Sequence, residues 1–381
     1  MMVKLGIDNI DSYLEYFKGK RVGLITNPTG INAKGASTID ILKEKVKLVA
    51  LFSPEHGVRG HMQAGVRFDT YIDSETGIPV YSLYTKDKKP TKEMMDEIDV
   101  LCIDIQDVGS RYYTFIYTMA YAMMACRQYD KEFFVFDRPN PINAVSVEGN
   151  VLNLNYRSFV GYYPIVQRFG LTIGEVAKLF NEEYGIGCKL KVALMENYKR
   201  DMYFEDTGLL WVLPSPNMPT INTTIVYNAT CVFEGTNISE GRGTTKPFEY
   251  VGAPFIDPVK LEKALNDLHL PGVLFRRQYF TPVFSKFAGE VCGGVEVHVL
   301  DRNAFLPVHT GYAMLDVIRH MYKDDFKISK PYKEGANCML QFETGCNYIL
   351  EDKYTLAEQF AILDREVLEF MEIRKKYLLY K

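Results

Sequence analysis

Five short apolar runs, each stopped by turn-forming residues and separated by stretches of helical spacing, constrain the first 140 residues more than any other feature. They are Val22-Gly23-Leu24-Ile25-Thr26, Lys47-Leu48-Val49-Ala50-Leu51-Phe52, Val80-Tyr81-Ser82-Leu83-Tyr84, Val100-Leu101-Cys102-Ile103-Asp104-Ile105 and Phe133-Phe134-Val135-Phe136. Runs this short and apolar, closed by Asn, Pro, Asp or Gly, read as buried strands. Residues 37–44, 91–98 and 111–129 between them carry helical spacing. Strands alternating with helices imply right-handed crossovers and a mostly parallel α/β sheet. In such a sheet the carboxyl ends of the strands share one edge, where ligands bind. Asn27, Glu55-His56, Asp104 with Asp107, and Asp137-Arg138 all fall at those ends. The opposite ends carry only solvated charge, such as Glu44-Lys45 and Lys131-Glu132. That asymmetry is the main functional signal in the residues themselves.

Further along, Thr172-Ile173-Gly174-Glu175 is a capping box that opens a helix to about residue 183. A strand follows over 190–195. Residues 211–255 are rich in Gly, Pro, Asn and Thr and read as a long functional loop with dense clusters at 214–220 and 234–249. Beyond them the pattern predicts a strand over 291–300, a helix over 310–322 and a long terminal helix over 355–379. A boundary near residue 255 would separate a sheet subdomain, 1–255, from a smaller α+β subdomain, 256–381, that closes the cleft.

Composition narrows the function classes. The 381 residues carry 44 basic and 48 acidic side chains, for a net charge of -4 without a basic stripe, which argues against nucleic acid. No run of 18 or more apolar residues provides a membrane span. Seven scattered cysteines lack any CxxC pair, so neither zinc nor a disulfide framework is expected and most should be buried. Asn27-Pro28-Thr29-Gly30 stands where a dinucleotide site needs GxGxxG, and Gly241-Arg242-Gly243-Thr244-Thr245 lacks the Gly-Lys-Ser/Thr of a phosphate loop. No cofactor is expected. Nothing in the residues sets an oligomeric state.

Three groups can carry chemistry. Glu55, beside His56 at the mouth of an apolar strand, suits a general acid, because partial burial raises a carboxyl pKa. Asp104 and Asp107 flank the end of the fourth strand, and alternation turns Asp104 into a buried layer where it needs a partner such as Arg111 or Arg138. A buried ion pair and a catalytic role are both open there. Asp137-Arg138, locked between turns by Pro139 and Pro141, reads as structural. Glu234, Glu240, Arg242 and Glu249 share one glycine-rich loop that suits ligand binding. Carboxylates with His56 are also the donor types for a metal, although neither HExxH nor DxDxDG spacing is present.

Six motifs in order resemble the NamZ-type family. They are Gly23-Leu24-Ile25-Thr26-Asn27-Pro28-Thr29-Gly30, Phe52-Ser53-Pro54-Glu55-His56-Gly57, the stretch from Asp104 to Thr114, Asp137-Arg138-Pro139-Asn140-Pro141-Ile142-Asn143, the 214–220 cluster and the 234–249 loop. The resemblance implies a Rossmann-like subdomain facing a second one. It also implies an exo-β-N-acetylmuramidase, which removes terminal N-acetylmuramic acid from peptidoglycan fragments such as small saccharides or muropeptides. Glu55, in the family's Ser-Pro-Glu-His-Gly motif, carries over as the catalytic acid. Asp104, Asp107 or Glu240 is then the second carboxylate, since glycoside hydrolysis uses two. Substrate contacts are expected from Asn27, His56, Arg111, Tyr112, Asn217, Asn237, Arg242 and Glu249, with Arg111 or Arg242 holding the lactyl carboxylate. Family members are often exported, which implies a periplasmic or extracellular setting. The opening Met1-Met2-Val3-Lys4-Leu5-Gly6 carries no apolar signal core and leaves a cytoplasmic setting open. Phe169 stands where the family usually has His, and the stretch from Asn337 to Glu343 matches poorly. The Phe169 departure motivates one alternative, a non-catalytic sugar-binding protein using the same cleft, and the carboxylate and His56 donor set leaves a metal-dependent hydrolase as another.

Overall fold

The computed structural model describes residues 2–54, 57–59, 70–83 and 88–381. Among these, seven strands form the main sheet: β1 (Arg21–Thr26), β2 (Lys47–Ser53), β3 (Tyr71–Ile72), β4 (Pro79–Ser82), β5 (Val100–Asp104), β6 (Glu132–Phe136) and β7 (Lys189–Ala193). Their order is β3-β4-β2-β1-β5-β6-β7, and every pair is parallel except β3 with β4. The mixed α/β architecture expected from the alternating runs is therefore present. Both faces are covered, as the apolar runs require. Leu101 and Ile103 of β5 enter one core with the helix Phe115–Gln128, while Val100 and Cys102 enter the other with Phe134 and Phe136 of β6. Each large side chain so buried is worth about 1.5–3 kcal/mol.

The chain lays β1, β2 and β4 in one direction, then returns past β1 to lay β5, β6 and β7 in the other. That reversal opens a crevice at the carboxyl ends of β1 and β5. Register places Thr26 opposite Asp104, and the Thr26 hydroxyl donates to the Asp104 carbonyl at 2.9 Å.

Local signals hold well at helix starts. Ser37 caps Thr38–Lys45, and the Thr172 capping box closes on Glu175 in both directions to start Ile173–Glu182. The helix expected from residue 111 begins only at Phe115, which leaves 111–114 as loop. Residues 211–255 are not a continuous loop. They contain the helix Ile221–Thr230, a 3₁₀ turn at Cys231–Gly235 and the strand β8 (Tyr250–Ala253). Thr, Val, Ile and Asn are weak helix formers, so propensity hid this helix. Tertiary burial overrides it, because eight consecutive residues from Thr223 to Thr230 are buried. The helix crosses Pro307–Met321 so closely that a Cβ at Gly311 would stand 2.0 Å from the Ala229 carbonyl oxygen.

The second sheet is antiparallel, in the order β8-β10-β9, with β9 (Val273–Phe280) and β10 (Cys292–Val299). The strand predicted over 291–300 is β10, while β9 and the helix Pro258–Asn266 were not predicted. The last long helix, Leu356–Arg374, returns the chain to the first sheet. Arg374 donates to the Gly170 carbonyl at 3.0 Å, and Tyr380 donates to Asp137 at 2.6 Å. All seven cysteines are buried and free. No helix among the described residues is long and apolar enough to cross a membrane.

Candidate active site

At the edge of the main sheet Asp104 is held in an ion pair and Asp137 by hydrogen bonds. Asp104 is buried, bound at Oδ1 by Arg138 Nε and at Oδ2 by Arg138 Nη2 and the Thr38 hydroxyl. It occupies the buried ion pair that alternation left open. Asp137 accepts from the Thr172 hydroxyl at 2.8 Å, the Gly174 N–H at 2.7 Å and Tyr380 at 2.6 Å. Asn27 closes an Asx turn, its Oδ1 accepting from the Thr29 N–H at 3.0 Å, and its amide reaches the Pro214 carbonyl at 3.4 Å. It thus ties the first strand end to the 214–220 cluster.

Asp107 differs from its neighbours. Oδ2 accepts from the Gly109 N–H at 2.7 Å, whereas Oδ1 meets no hydrogen-bond partner among the described residues. Burial pushes its pKa up to about 7, against the pull of the Gly109 and Val108 amides. A carboxyl poised there exchanges protons near neutrality.

Arg111 is fully buried. Nη1 donates to the Asn150 and Ile165 carbonyls at 2.7 and 2.8 Å, and Nη2 to the Glu343 and Thr344 carbonyls at 2.9 Å each. The guanidinium that sequence offered as a carboxylate ligand is therefore committed to backbone. Its work is to join the loop after β5 to the short helix Met339–Thr344.

A pocket of about 140 Å³ opens beside this clamp. Tyr112 and Tyr113 line it from the loop after β5, Phe115 from the start of the helix Phe115–Gln128, Asn217 from the 214–220 cluster, Tyr227 from the helix Ile221–Thr230, Glu234 and Arg242 from the two ends of the 234–242 segment, and Glu343 from Met339–Thr344. Tyr227 sets its ring edge-on to Tyr112, Tyr113 and Phe248, with centroids 6.1, 6.0 and 4.7 Å away. Tyr112, Tyr113 and Tyr227 thus form a packed aromatic wall on the pocket, with Phe248 behind it. Arg242 Nη2 donates to Glu234 at 2.6 Å, while its Nε lies 3.4 Å from Glu240. Behind it Lys286 binds Glu240 at 3.0 Å and the Phe233 and Ile238 carbonyls at 2.7 and 2.9 Å.

Of the residues expected from sequence, Tyr112, Asn217 and Arg242 line this pocket, and Glu240 backs Arg242. Glu249 belongs to another network, accepting from Thr223 at 2.6 Å and Lys246 at 3.0 Å. Asn237 bridges to the backbone of Asp325 and Lys327 at 2.9 and 2.7 Å. Glu55 and His56 lie outside the described residues. Phe169 is buried in the core with Leu171 and Ile173 and takes no part in the pocket lining. Sequence reasoning missed Glu343. The available signal was its spacing: three residues after Leu340, it takes a core-facing position of a short helix, and both side chains are buried.

A mostly parallel sheet whose strand-end loop opens on a pocket with tyrosines, an arginine and carboxyls defines the class: an α/β protein with the equipment of a carbohydrate hydrolase. The chain belongs to the exo-β-N-acetylmuramidase NamZ family, whose N-terminal model matches residues 22–222 and whose C-terminal model matches residues 225–380. Peptidoglycan β-N-acetylmuramidase NamZ of Bacillus subtilis is 50% identical to it, over 99% of this chain and 91% of that protein. Two crystal structures of DUF1343 family proteins from Bacteroides fragilis share the fold. One has a TM-score of 0.90 at 38% identity and covers 100% of both chains. The other has a TM-score of 0.81 at 30% identity and covers 100% of this chain and 99% of its own.

Proposed function

We propose that this protein is an exo-acting glycosidase that hydrolyses terminal β-linked N-acetylmuramic acid from peptidoglycan fragments. The observation that carries the reading is the 50% identity to a peptidoglycan β-N-acetylmuramidase over 99% of the chain. The pocket supports it chemically, since its tyrosines and Asn217 are the side-chain types that bind a sugar and Arg242 places a cation for its lactyl carboxylate. The natural setting for such a substrate is the periplasm or the cell exterior.

Hydrolysis needs a carboxyl that protonates the leaving oxygen and a second that attacks or activates water. Glu55 is the acid by resemblance to the family. Among the three partners considered for it, Asp104 is spent on Arg138 and Thr38, and Glu240 on Lys286 and Arg242. Asp107 alone keeps an oxygen outside any bond or ion pair among the described residues. It is the partner we carry forward.

The test is release of 4-nitrophenol from 4-nitrophenyl β-N-acetylmuramide, beside the glucosaminide analogue. Release from the muramide, falling at least about 100-fold in Glu55→Gln with binding kept, is the expected outcome. Calorimetric binding of the muramide without product after long incubation would replace the enzyme with a binding protein.

A further inference from the structure

Glu343 is the one carboxyl of the pocket lining that the sequence did not mark as a site residue. It is 1% exposed, and among the described residues neither carboxyl oxygen meets a side-chain donor or a well-formed hydrogen bond, the Gly235 N–H alone lying near enough to act on it. Its backbone is fixed, because Arg111 grips the carbonyls of Glu343 and Thr344. Its side chain is confined as well, since a Cβ at Gly235 would stand 2.9 Å from Oε2. A buried carboxyl left without partners is costly, and it is kept where a ligand or a function satisfies it.

Charge decides its form. Arg242 is matched by Glu234 on the pocket wall, and Lys286 by Glu240 behind it. With Glu343 neutral the pocket charges balance, whereas ionised Glu343 would leave an excess negative charge in a site reading an anionic sugar. Tyr112, Tyr227 and Cys231 also face it and are uncharged, their own pKa values pushed well up, chiefly by burial. Burial foremost, then the Glu234 and Glu240 charges, hold Glu343 well above the usual carboxylate range, with Lys286 and the Gly235 N–H opposing.

We propose that Glu343 is a specificity-determining residue that contacts substrate as a neutral carboxylic acid, donating a hydrogen bond to the carboxylate of the bound muramic sugar beside Arg242. The role rests on the muramidase reading above. No bond is made or broken by it: the Glu343 proton is shared with the ligand carboxylate and stays on Glu343 through turnover. An ionised Glu343 would repel the ligand, so binding of the anionic sugar should weaken as pH rises through the Glu343 pKa, while a sugar without the lactyl group should be indifferent.

Calorimetry on the wild-type chain, with N-acetylmuramic acid and N-acetylglucosamine as probes across neutral to alkaline pH, tests this without any variant. Affinity for the muramic sugar is expected to fall toward tenfold per pH unit above the pKa, and affinity for the glucosamine to stay level. Flat affinity for both, or a parallel fall for both, overturns the role. Glu343→Gln, a neutral donor of the same shape, should keep kcat/KM on the nitrophenyl muramide within about fivefold and remove the alkaline loss. Glu343→Leu should raise KM by roughly tenfold or more at unchanged kcat. A collapse of kcat in Glu343→Gln at unchanged KM would make Glu343 a proton donor in the chemistry instead, and an alkaline loss that survives Glu343→Gln would assign it to another group. Wild-type turnover separates the two readings: its absence on every muramide removes the muramidase reading and this role together, whereas turnover with pH-independent affinity removes only the role.

Discussion

The edge of the main sheet and the wall of the pocket hold similar side chains in opposite states. At the edge, Asp104 is bound by Arg138 and Thr38, and Asp137 accepts from Thr172, Gly174 and Tyr380. On the wall, Glu343 has no side-chain partner among the described residues, and Arg242, which lines the cavity, shares its charge with Glu234 and Glu240. The first arrangement builds a scaffold, because a buried carboxyl is tolerable when an ion pair holds it, as at Asp104, or when hydrogen bonds satisfy it, as at Asp137, whose pKa burial lifts to about 7. The second leaves bonding capacity for a ligand. Charged residues in a recognisable motif thus divide by satisfaction rather than by location, and Asp107 sits between the groups, with one oxygen bound and one not.

The sharpest way to break that division is Arg138→Ala. It strands Asp104 in the interior and should cost about 3–5 kcal/mol, seen as a large drop in the urea midpoint. A loss under about 1 kcal/mol would mean that the edge tolerates an unpaired charge and is no scaffold.

Arg242→Ala should do the reverse. Unfolding should shift little, while KM for the nitrophenyl muramide rises roughly tenfold to a hundredfold, the worth of a hydrogen bond to a charged group. Equal effects on stability and KM would erase the contrast.

Asp107→Asn sharpens the intermediate case through pH. Asp107 titrates near 4 when unfolded and at about 7 when folded, so the folded protein binds the extra proton between those values. Its contribution is fully present below about pH 4 and is lost as pH rises through about 7. The variant should therefore show a flatter stability–pH curve across that window and gain on wild type as pH increases. A variant that loses ground at alkaline pH would mean that ionised Asp107 is well partnered. The smallest effect belongs to Thr172→Ala, which removes one arm of a capping box at the scaffold and should cost about 1 kcal/mol with activity unchanged.

Most of the first sheet was legible because buried parallel strands are apolar on both faces and their stops are chemically distinct. The capping boxes and the crevice edge were legible for the same local reason. The helix Ile221–Thr230 was not, since its Thr, Val and Asn residues follow no helical preference and only contact with Pro307–Met321 and its surroundings makes it one. Arg111 illustrates the limit for side chains. Its motif identified an important arginine, but four carbonyls from three distant segments decide that it clamps backbone rather than substrate.

By itself, the sequence determined the alternating α/β class, the cluster of polar residues at the strand ends and the family, since all three rest on runs of adjacent residues. Tertiary structure decided which of the marked residues face the pocket, brought Glu343 to it from a segment more than 100 residues beyond Glu234 and Arg242, and left that carboxyl without a side-chain partner among the described residues. The physical reason is that a side chain's function depends on what satisfies its charge and hydrogen bonds, and those partners come from far along the chain.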